Sequence, residues 1–317
     1  MSDVFKSSTN HQPPTTHRVA QQRWGIDLGG TKIEGVILDE KKLTKPLCRL
    51  RVPSEAGRGY EHILSQIQLL VTKLEQASGF TRPPRIGIGT PGIVDPFTRV
   101  MKNSNTTCLN RHPLKEDLSR VLGVEVMIAN DANCFALAEA TLGAARGFNV
   151  VMGLIIGTGV GGGFVLGGRL HQGLHGIAGE WGHNTMRGEE APCYCGKQGC
   201  TETVFSGPAL EGFYQQLSGK KIPLPEVVRL ADEGETAAVQ TVERLQEKFA
   251  EAIAVPINIF DPDAIVIGGG VGVIDLLYAK STRQKIREFI FNDQCQTKFL
   301  KPMLGDSAGV FGAAMLG

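Results

Sequence analysis

Residues 24–38 read Trp-Gly-Ile-Asp-Leu-Gly-Gly-Thr-Lys-Ile-Glu-Gly-Val-Ile-Leu: an apolar run, a glycine-threonine turn and a second apolar run. Short apolar runs bounded by turn residues predict two buried strands joined as a hairpin. Residues 153–166, Gly-Leu-Ile-Ile-Gly-Thr-Gly-Val-Gly-Gly-Gly-Phe-Val-Leu, follow the same plan, and Gly25 and Gly29 fall on Gly153 and Gly157 at a common offset of 128 residues. An internal repeat of strand, turn and strand predicts an α/β chain of two similarly folded halves facing each other across a cleft.

The turns themselves can carry chemistry. Glycine lets backbone N–H groups approach an anion closely, so Gly29, Gly30 and Thr31 with Lys32, and Thr158 with Gly159, form two candidate phosphate cradles. Taken singly, a glycine-rich hairpin turn is most often only a turn. Asp27, inside an otherwise apolar strand, is a carboxylate in need of a partner, and a magnesium ion bridging to phosphate would be one.

Between the two hairpins, Tyr60, Ile63, Leu64, Ile67, Leu70, Val71 and Leu74 recur at helical spacing and predict an amphipathic helix ending near Gly79. A strand is predicted over residues 85–92, followed by a polar stretch, residues 103–106, that reads first as a solvated loop. Residues 124–129 read as a strand and 134–142 as an alanine-rich helix, which puts Asn130 and Asp131 at the handover. Asp131 reads as a helix N-cap or as a functional carboxylate, and either reading places it at the carboxyl end of a strand, where open α/β sheets bind ligands. Further on, helices are predicted over residues 210–217, 226–230 and 236–259, with Pro256 expected to kink or break the last. A short strand over residues 264–267 runs into Gly268, Gly269 and Gly270, where the backbone could lie against a flat ligand such as adenosine or simply turn. Small residues near the C-terminus predict a closely packed final helix.

Residues 179–202 carry a different signal. His183, Cys193, Cys195 and Cys200 offer one imidazole and three thiolates, the ligand set of a closed tetrahedral structural zinc site, with Gly196 and Gly199 where the chain must turn tightly. Clustered Cys and His in a chain otherwise suited to a reduced compartment favour a metal over disulfides. Glu180 and Glu202 flank the cluster, so a bound ion would hold both carboxylates in one region. Four protein ligands leave no open position, so the ion would shape a site without taking part in chemistry.

The 317 residues are 42% hydrophobic with a formal net charge of +1, an ordinary balance that gives no global field for nucleic acid or an anionic membrane. Cys48, Cys108, Cys134 and Cys295 are scattered and read as small interior residues. Residues 1–22 are polar, lack the apolar core of a signal peptide or membrane span, and are expected to form a disordered tail on a cytosolic protein.

The set Asp-Leu-Gly-Gly-Thr-Lys, Gly-Thr-Pro-Gly, Asn-Asp-Ala-Asn, Gly-Thr-Gly-Val-Gly-Gly-Gly, Glu-Trp-Gly-His, Cys-Tyr-Cys-Gly-Lys-Gln-Gly-Cys and the late Gly-Gly-Gly resembles the ROK family of sugar kinases and sugar-responsive repressors over residues 24–317. The resemblance implies two ribonuclease-H-like domains of the actin and hexokinase superfamily, with residues 23–130 and 302–317 in one and 131–301 in the other. It implies Asp131 as the base, and Asn105, Asn130, Glu180, His183 and Glu202 as sugar contacts, with His183 also a zinc ligand. Asp27 would organise Mg²⁺ with ATP, Gly29 to Lys32 and Thr158 to Gly159 would hold phosphates, and Gly269 and Gly270 would approach adenosine. Around residues 101–105 and 191–195 the chain looks most like the fructokinase and mannokinase branch. The implied activity is therefore ATP-dependent phosphorylation of a hexose 6-hydroxyl, fructose first, with glucose, mannose and N-acetylhexosamines as alternatives. A homodimer is implied as well. A repressor would carry an N-terminal helix-turn-helix, and the short polar stretch ahead of Trp24 does not read as one.

Overall fold

The computed structural model describes residues 22–317. The expectation of a disordered tail lies outside the described residues, except for Gln22, which belongs to the first strand.

Five strands form the first sheet: β1 (Gln22–Leu28), β2 (Lys32–Asp39), β3 (Lys42–Pro53), β4 (Arg85–Thr90) and, after the two-stranded β5 (Ile93–Val94) and β6 (Met101–Lys102) ribbon, β7 (Glu125–Asn130), in the order β3-β2-β1-β4-β7. The second sheet uses β8 (Val150–Ile156), β9 (Val160–Leu166), β10 (Arg169–His171), β11 (Ala264–Gly268) and β12 (Lys298–Leu300), in the order β10-β9-β8-β11-β12. Each sheet is an antiparallel three-strand meander extended by two parallel strands. The 128-residue offset maps the limits of β1 onto those of β8, and the start of β2 onto that of β9. The repeat is thus one of topology as well as of turn chemistry.

Nine α-helices cover these sheets: α1 (Tyr60–Ser78), α2 (Leu114–Leu122), α3 (Asp131–Thr141), α4 (Glu202–Phe205), α5 (Gly207–Ser218), α6 (Leu224–Asp232), α7 (Thr236–Phe260), α8 (Lys280–Arg287) and α9 (Ala308–Ala314), counted among the described residues. The apolar stripe of α1 is buried as its spacing predicts, and Gly79 closes the helix in the left-handed conformation. One core lies between the first sheet and α1 with α2, and a second between the second sheet and α5 to α8. A third, built around α3 and α9, fills the space between the sheets.

That middle layer explains the matched glycines. A Cβ on Gly25 would lie 2.4 Å from the Ala314 backbone nitrogen in α9, and one on Gly153 would lie 2.6 Å from Ala136 Cα in α3. A Cβ on Gly312 would fall 1.8 Å from the Cys134 carbonyl oxygen, so the two helices also meet backbone to backbone.

Of the two outcomes expected at Pro256, a kink or a break, the break does not occur: α7 continues through it to Phe260. The proline removes one amide donor close to the C-terminal end, while Ile253, Pro256 and Ile257 are all buried against the core. Packing outweighs one missing backbone hydrogen bond.

Candidate active site

The carboxyl end of β7 and the start of α3 organise the cleft. Asn130 is the N-cap: its side-chain oxygen accepts the N–H of Asn133 at 2.7 Å. Asp131 is therefore relieved of the capping role and becomes the first residue of the helix. One of its oxygens accepts the N–H of Ala132 at 2.8 Å, and the carboxylate lies open to the cleft. Protein packed around that opening displaces water, and this raises the Asp131 carboxyl above the usual range, against the opposing pull of backbone N–H groups.

The cleft, about 660 Å³, is lined by Asp27, Gly29, Gly30, Thr31, Asn105 and Asp131 among others. The polar stretch expected to be solvated loop thus places Asn105, itself exposed, on the cleft wall. Burial pushes the Asp27 carboxyl up to about 6, helped by the charges of Asp131 and Glu34 and opposed by Lys32. Among the described residues no donor bonds this carboxylate, which leaves its oxygens available to a cation. Glu34, its cross-strand neighbour, is satisfied differently: burial raises it, but ion pairs with Arg49 and, at 3.1 Å, Arg51 outweigh that and hold it low.

The segment with the Cys–His cluster approaches from the second half. The Asn130 side-chain amide donates to Glu180 Oε1 at 3.4 Å. Burial raises the Glu180 carboxyl, with His183 opposing and Asp131 and Glu202 adding to the rise. Glu202 Oε2 accepts the N–H of Val160 at 2.9 Å, and a Cβ on Gly159 would meet that oxygen at 2.6 Å. Glu202 is therefore clasped by the second glycine turn, with Thr158 exposed beside it. Gly269 (φ +83°) and Gly270 sit behind the same turn, where a Cβ on Gly157 would lie 3.8 Å from the Gly270 nitrogen. The structure brings two groups together, one lining the cleft and one around Glu202; Thr158, Gly159, Gly269 and Gly270 do not line the 660 Å³ space.

The ligand atoms of His183, Cys193, Cys195 and Cys200 all lie within 4.8 Å of one another. Cys195 and Cys200 are 3.6 Å apart at sulfur, and His183 Nδ1 is 3.6 Å from Cys193 Sγ. A tetrahedron with Zn–S near 2.3 Å and Zn–N near 2.0 Å has edges of roughly 3.5–3.8 Å, so the set fits zinc. Gly196 (φ +87°) and Gly199 (φ +66°) make the turns that only glycine accepts easily. Burial pushes the Cys200 thiol up to about 12, with Cys195 and Cys193 adding to it, a preference that a cation at this position reverses.

The model of the ROK family matches residues 23–317. The chain belongs to the ROK family. It is 36% identical over 304 residues to the N-acetyl-D-glucosamine kinase of Histophilus somni (strain 129Pt), spanning 92% of this chain and 98% of that protein. The crystal structure of a ROK hexokinase from Thermus thermophilus superposes with a TM-score of 0.81 at 31% identity, covering 94% of this chain and 98% of that one. A ROK family glucokinase from Streptomyces griseus, solved in complex with glucose and AMPPNP, gives a TM-score of 0.73 at 28% identity, covering 94% and 99%. Fructose, the sugar expected first, has no support in these likenesses, whose named sugars are N-acetyl-D-glucosamine and glucose.

Three residues of this ROK protein contribute to the site without having been singled out by sequence. Ser54 fastens the first turn: its N–H donates to the Thr31 carbonyl at 3.0 Å and its hydroxyl to the Gly30 carbonyl at 2.6 Å. Glu139, fully buried in α3, accepts backbone N–H groups from Ala144, Met303 and Leu304. Tyr194 stands between Cys193 and Cys195 in the chain, with its hydroxyl 3.1 Å from His183 Nε2. Only Tyr194 had a visible signal, an aromatic enclosed by metal ligands. No helix among the described residues is long and apolar enough to cross a membrane.

Proposed function

We propose that this ROK sugar kinase transfers the γ-phosphoryl group of ATP to the 6-hydroxyl of an N-acetylated hexosamine, N-acetyl-D-glucosamine first. The observation that carries the reading is Asp131: a carboxylate freed from capping, open to the cleft and flanked by Asn130, Glu180 and the first glycine turn. The likeness to an N-acetyl-D-glucosamine kinase over nearly the whole of both chains supports the choice of sugar.

In this mechanism Glu180 and Glu202, as acceptors, bind sugar hydroxyls, and Asn130 and Asn105 complete the polar lining. Asp131 orients the 6-hydroxyl and takes its proton late, as the new oxygen–phosphorus bond forms and the bond to the ADP oxygen breaks. N–H groups at Gly30 and Thr31 and at Thr158 and Gly159, with Lys32, hold phosphate oxygens, while the Gly29 N–H closes the first turn on the Lys32 carbonyl at 2.9 Å, and Gly269 and Gly270 let adenosine approach. Asp27 would hold a magnesium ion, which would offset the charge of the phosphates. Zinc on His183, Cys193, Cys195 and Cys200 would fix the loop that carries Glu180 and Glu202. Closure of the halves, residues 23–130 with 302–317 against 131–301, would exclude water from the reacting centre. A second copy of the chain as partner has a candidate surface in Ile259 and Phe291, both exposed and joined through the bond from the Phe291 N–H to Asn258.

The test is kcat/KM over a panel of N-acetylglucosamine, N-acetylmannosamine, N-acetylgalactosamine, glucose, mannose and fructose. N-acetylglucosamine should lead. A lead for glucose or fructose would remove the amino-sugar reading, and sugar-independent ADP release alone would remove the kinase reading.

A further inference from the structure

Asn105 stands on the cleft wall in a stretch of backbone that is tied down on both sides. It is exposed, whereas its neighbours Ser104 and Thr106 are buried. Its own N–H donates to the Pro91 carbonyl at 3.3 Å, and the Ser104 hydroxyl donates to the Thr106 carbonyl at 3.2 Å. Among the described residues nothing bonds the Asn105 side-chain amide, which leaves it as the polar group this turn can offer to a ligand.

A side chain from further along holds the turn. The Asn110 side-chain oxygen accepts the Ser104 N–H at 2.9 Å, and its amide nitrogen donates to the Ser104 carbonyl at 2.9 Å. A carboxamide carries an acceptor and a donor side by side, so one side chain satisfies both backbone groups of one residue, as a neighbouring strand would. Strained backbone flanks the pair: Asn103 has φ +57° and Arg111 φ +69°, in the left-handed region that residues with a Cβ rarely adopt. The loop is closed on β6, where Met101 accepts the Arg111 N–H at 2.8 Å and donates its own N–H to the His112 carbonyl at 2.9 Å.

Ser104 is also where this loop meets the strands that carry the site. A Cβ on Gly92 would lie 2.8 Å from Ser104 Cα, and the Thr90 hydroxyl donates to the Gly92 carbonyl at 2.9 Å. Thr90 ends β4 and pairs in register with Asn130, the cap that precedes Asp131. A shift of Ser104 therefore moves Asn105 relative to both of them.

We propose that Asn110 is a positioning residue for sugar binding: by clamping both backbone polar groups of Ser104, it fixes Asn105 on the cleft wall in register with Asn130 and Asp131. The proposal rests on the reading of Asn105 as a sugar contact and adds the residue that sets that contact in place. Asn110 does not itself line the cleft, so it acts on the sugar through Asn105. A contact made equally to bound sugar and to the transition state changes KM and leaves kcat alone.

The experiment compares wild type, Asn105→Ala, Asn110→Ala, Asn110→Asp and the two double variants, using the sugar that wild type turns over best. Asn110→Asp keeps the shape and the acceptor for the Ser104 N–H and loses the donor. Sugar affinity is measured by calorimetry without nucleotide, kcat and both KM values by ADP release, and the thermal midpoint alongside. Asn110→Ala should weaken sugar binding and raise the sugar KM by about three- to tenfold, the worth of a neutral hydrogen bond, with kcat and the KM for ATP unchanged. Asn110→Asp should move the same values in the same direction. In the Asn105→Ala background neither change should cost further affinity. A loss that persists undiminished in that background, equal losses for sugar and ATP, or a lowered midpoint with sugar affinity intact would overturn the proposal. If Asn110→Ala fails to fold, the cycle with Asn110→Asp decides. Wild-type affinity in Asn105→Ala would instead remove the sugar-contact reading, and the proposal with it, whereas a wild type that turns over no sugar would remove the kinase reading.

Discussion

Asp27 lies near the end of β1 and Asp131 just past the end of β7, as the first residue of α3, yet they line one cleft, and burial, with the charge of Asp131 added, holds Asp27 protonated up to about pH 6. The folded protein therefore binds this proton more tightly than the unfolded chain, in which an aspartate titrates near 3.8. The linkage sign follows: any stability associated with the proton is present at low pH and is lost as pH rises from about 3.8 to about 6. Above that window the ionised carboxylate is a standing cost of at most about 3 kcal/mol, less for the part that cleft water reaches. Asp27→Asn should then raise the thermal midpoint at pH 7.5, measured without nucleotide, while turnover with Mg-ATP falls by orders of magnitude. A lowered midpoint would mean that the carboxylate stabilises the empty fold and is not held there for a cation.

The parts of this fold that could be read in advance were those in which local chemistry repeats. Gly25 and Gly153 mark the two hairpins because each must admit a helix backbone, a demand visible as glycine at one offset. Which helix meets which strand was not visible: α9 lies on β1 although 279 residues separate the end of one from the start of the other. The Cys–His cluster was legible because all its members come from one short segment. Ser54 and Glu139 were not, because their roles arise from contacts that only the folded chain creates. The break considered at Pro256 is absent for the same reason, since its cost is local and its compensation is tertiary.

Replacement of Asp131 should separate catalysis from binding. Asn130 provides the side-chain cap of α3, so Asp131→Asn keeps the helix start and the shape of the cleft. Sugar affinity by calorimetry and the thermal midpoint should change little, while kcat falls about 10²- to 10⁴-fold, the range for loss of a general base. The raised carboxyl adds a pH signature. A base must be ionised, so kcat/KM in the wild type should begin to fall, on acidification, at a higher pH than for an ordinary aspartate. A matching loss of affinity in Asp131→Asn would make the residue a binding group and not the base.

The metal cluster should couple folding to sugar binding. Elemental analysis should find one zinc per chain, and Cys195→Ser should lose it. Because the loop between His183 and Cys200 leads directly to Glu202, loss of metal should lower the thermal midpoint and weaken sugar binding together. Glu202 in turn holds the second turn through Val160, so ATP affinity should fall as well. A chelator that strips the metal and leaves both affinities intact would show the cluster to be a passive clip.

Glu139 gives the last prediction. It is fully buried in the helix that begins with Asp131, and its two oxygens accept the N–H groups of Ala144 at 2.8 Å, Met303 at 3.1 Å and Leu304 at 2.9 Å. Residues 303 and 304 lead into α9, where a Cβ on Gly309 would lie 3.3 Å from Asp27 Oδ2. One carboxylate thus ties the helix that begins with Asp131 to the segment that packs beneath Asp27. Donors reach both oxygens, so Glu139→Gln must set its amide N–H₂ against at least one of them, leaving a buried N–H unpaired at about 1–3 kcal/mol. The thermal midpoint should drop by roughly 2–10 °C. Hydrogen exchange should quicken most at the amides of Met303 and Leu304, ahead of the strands of either sheet. Unchanged protection there, with the midpoint lowered all the same, would reduce Glu139 to a packing residue and leave the coupling of α3 to α9 to the glycine contacts alone.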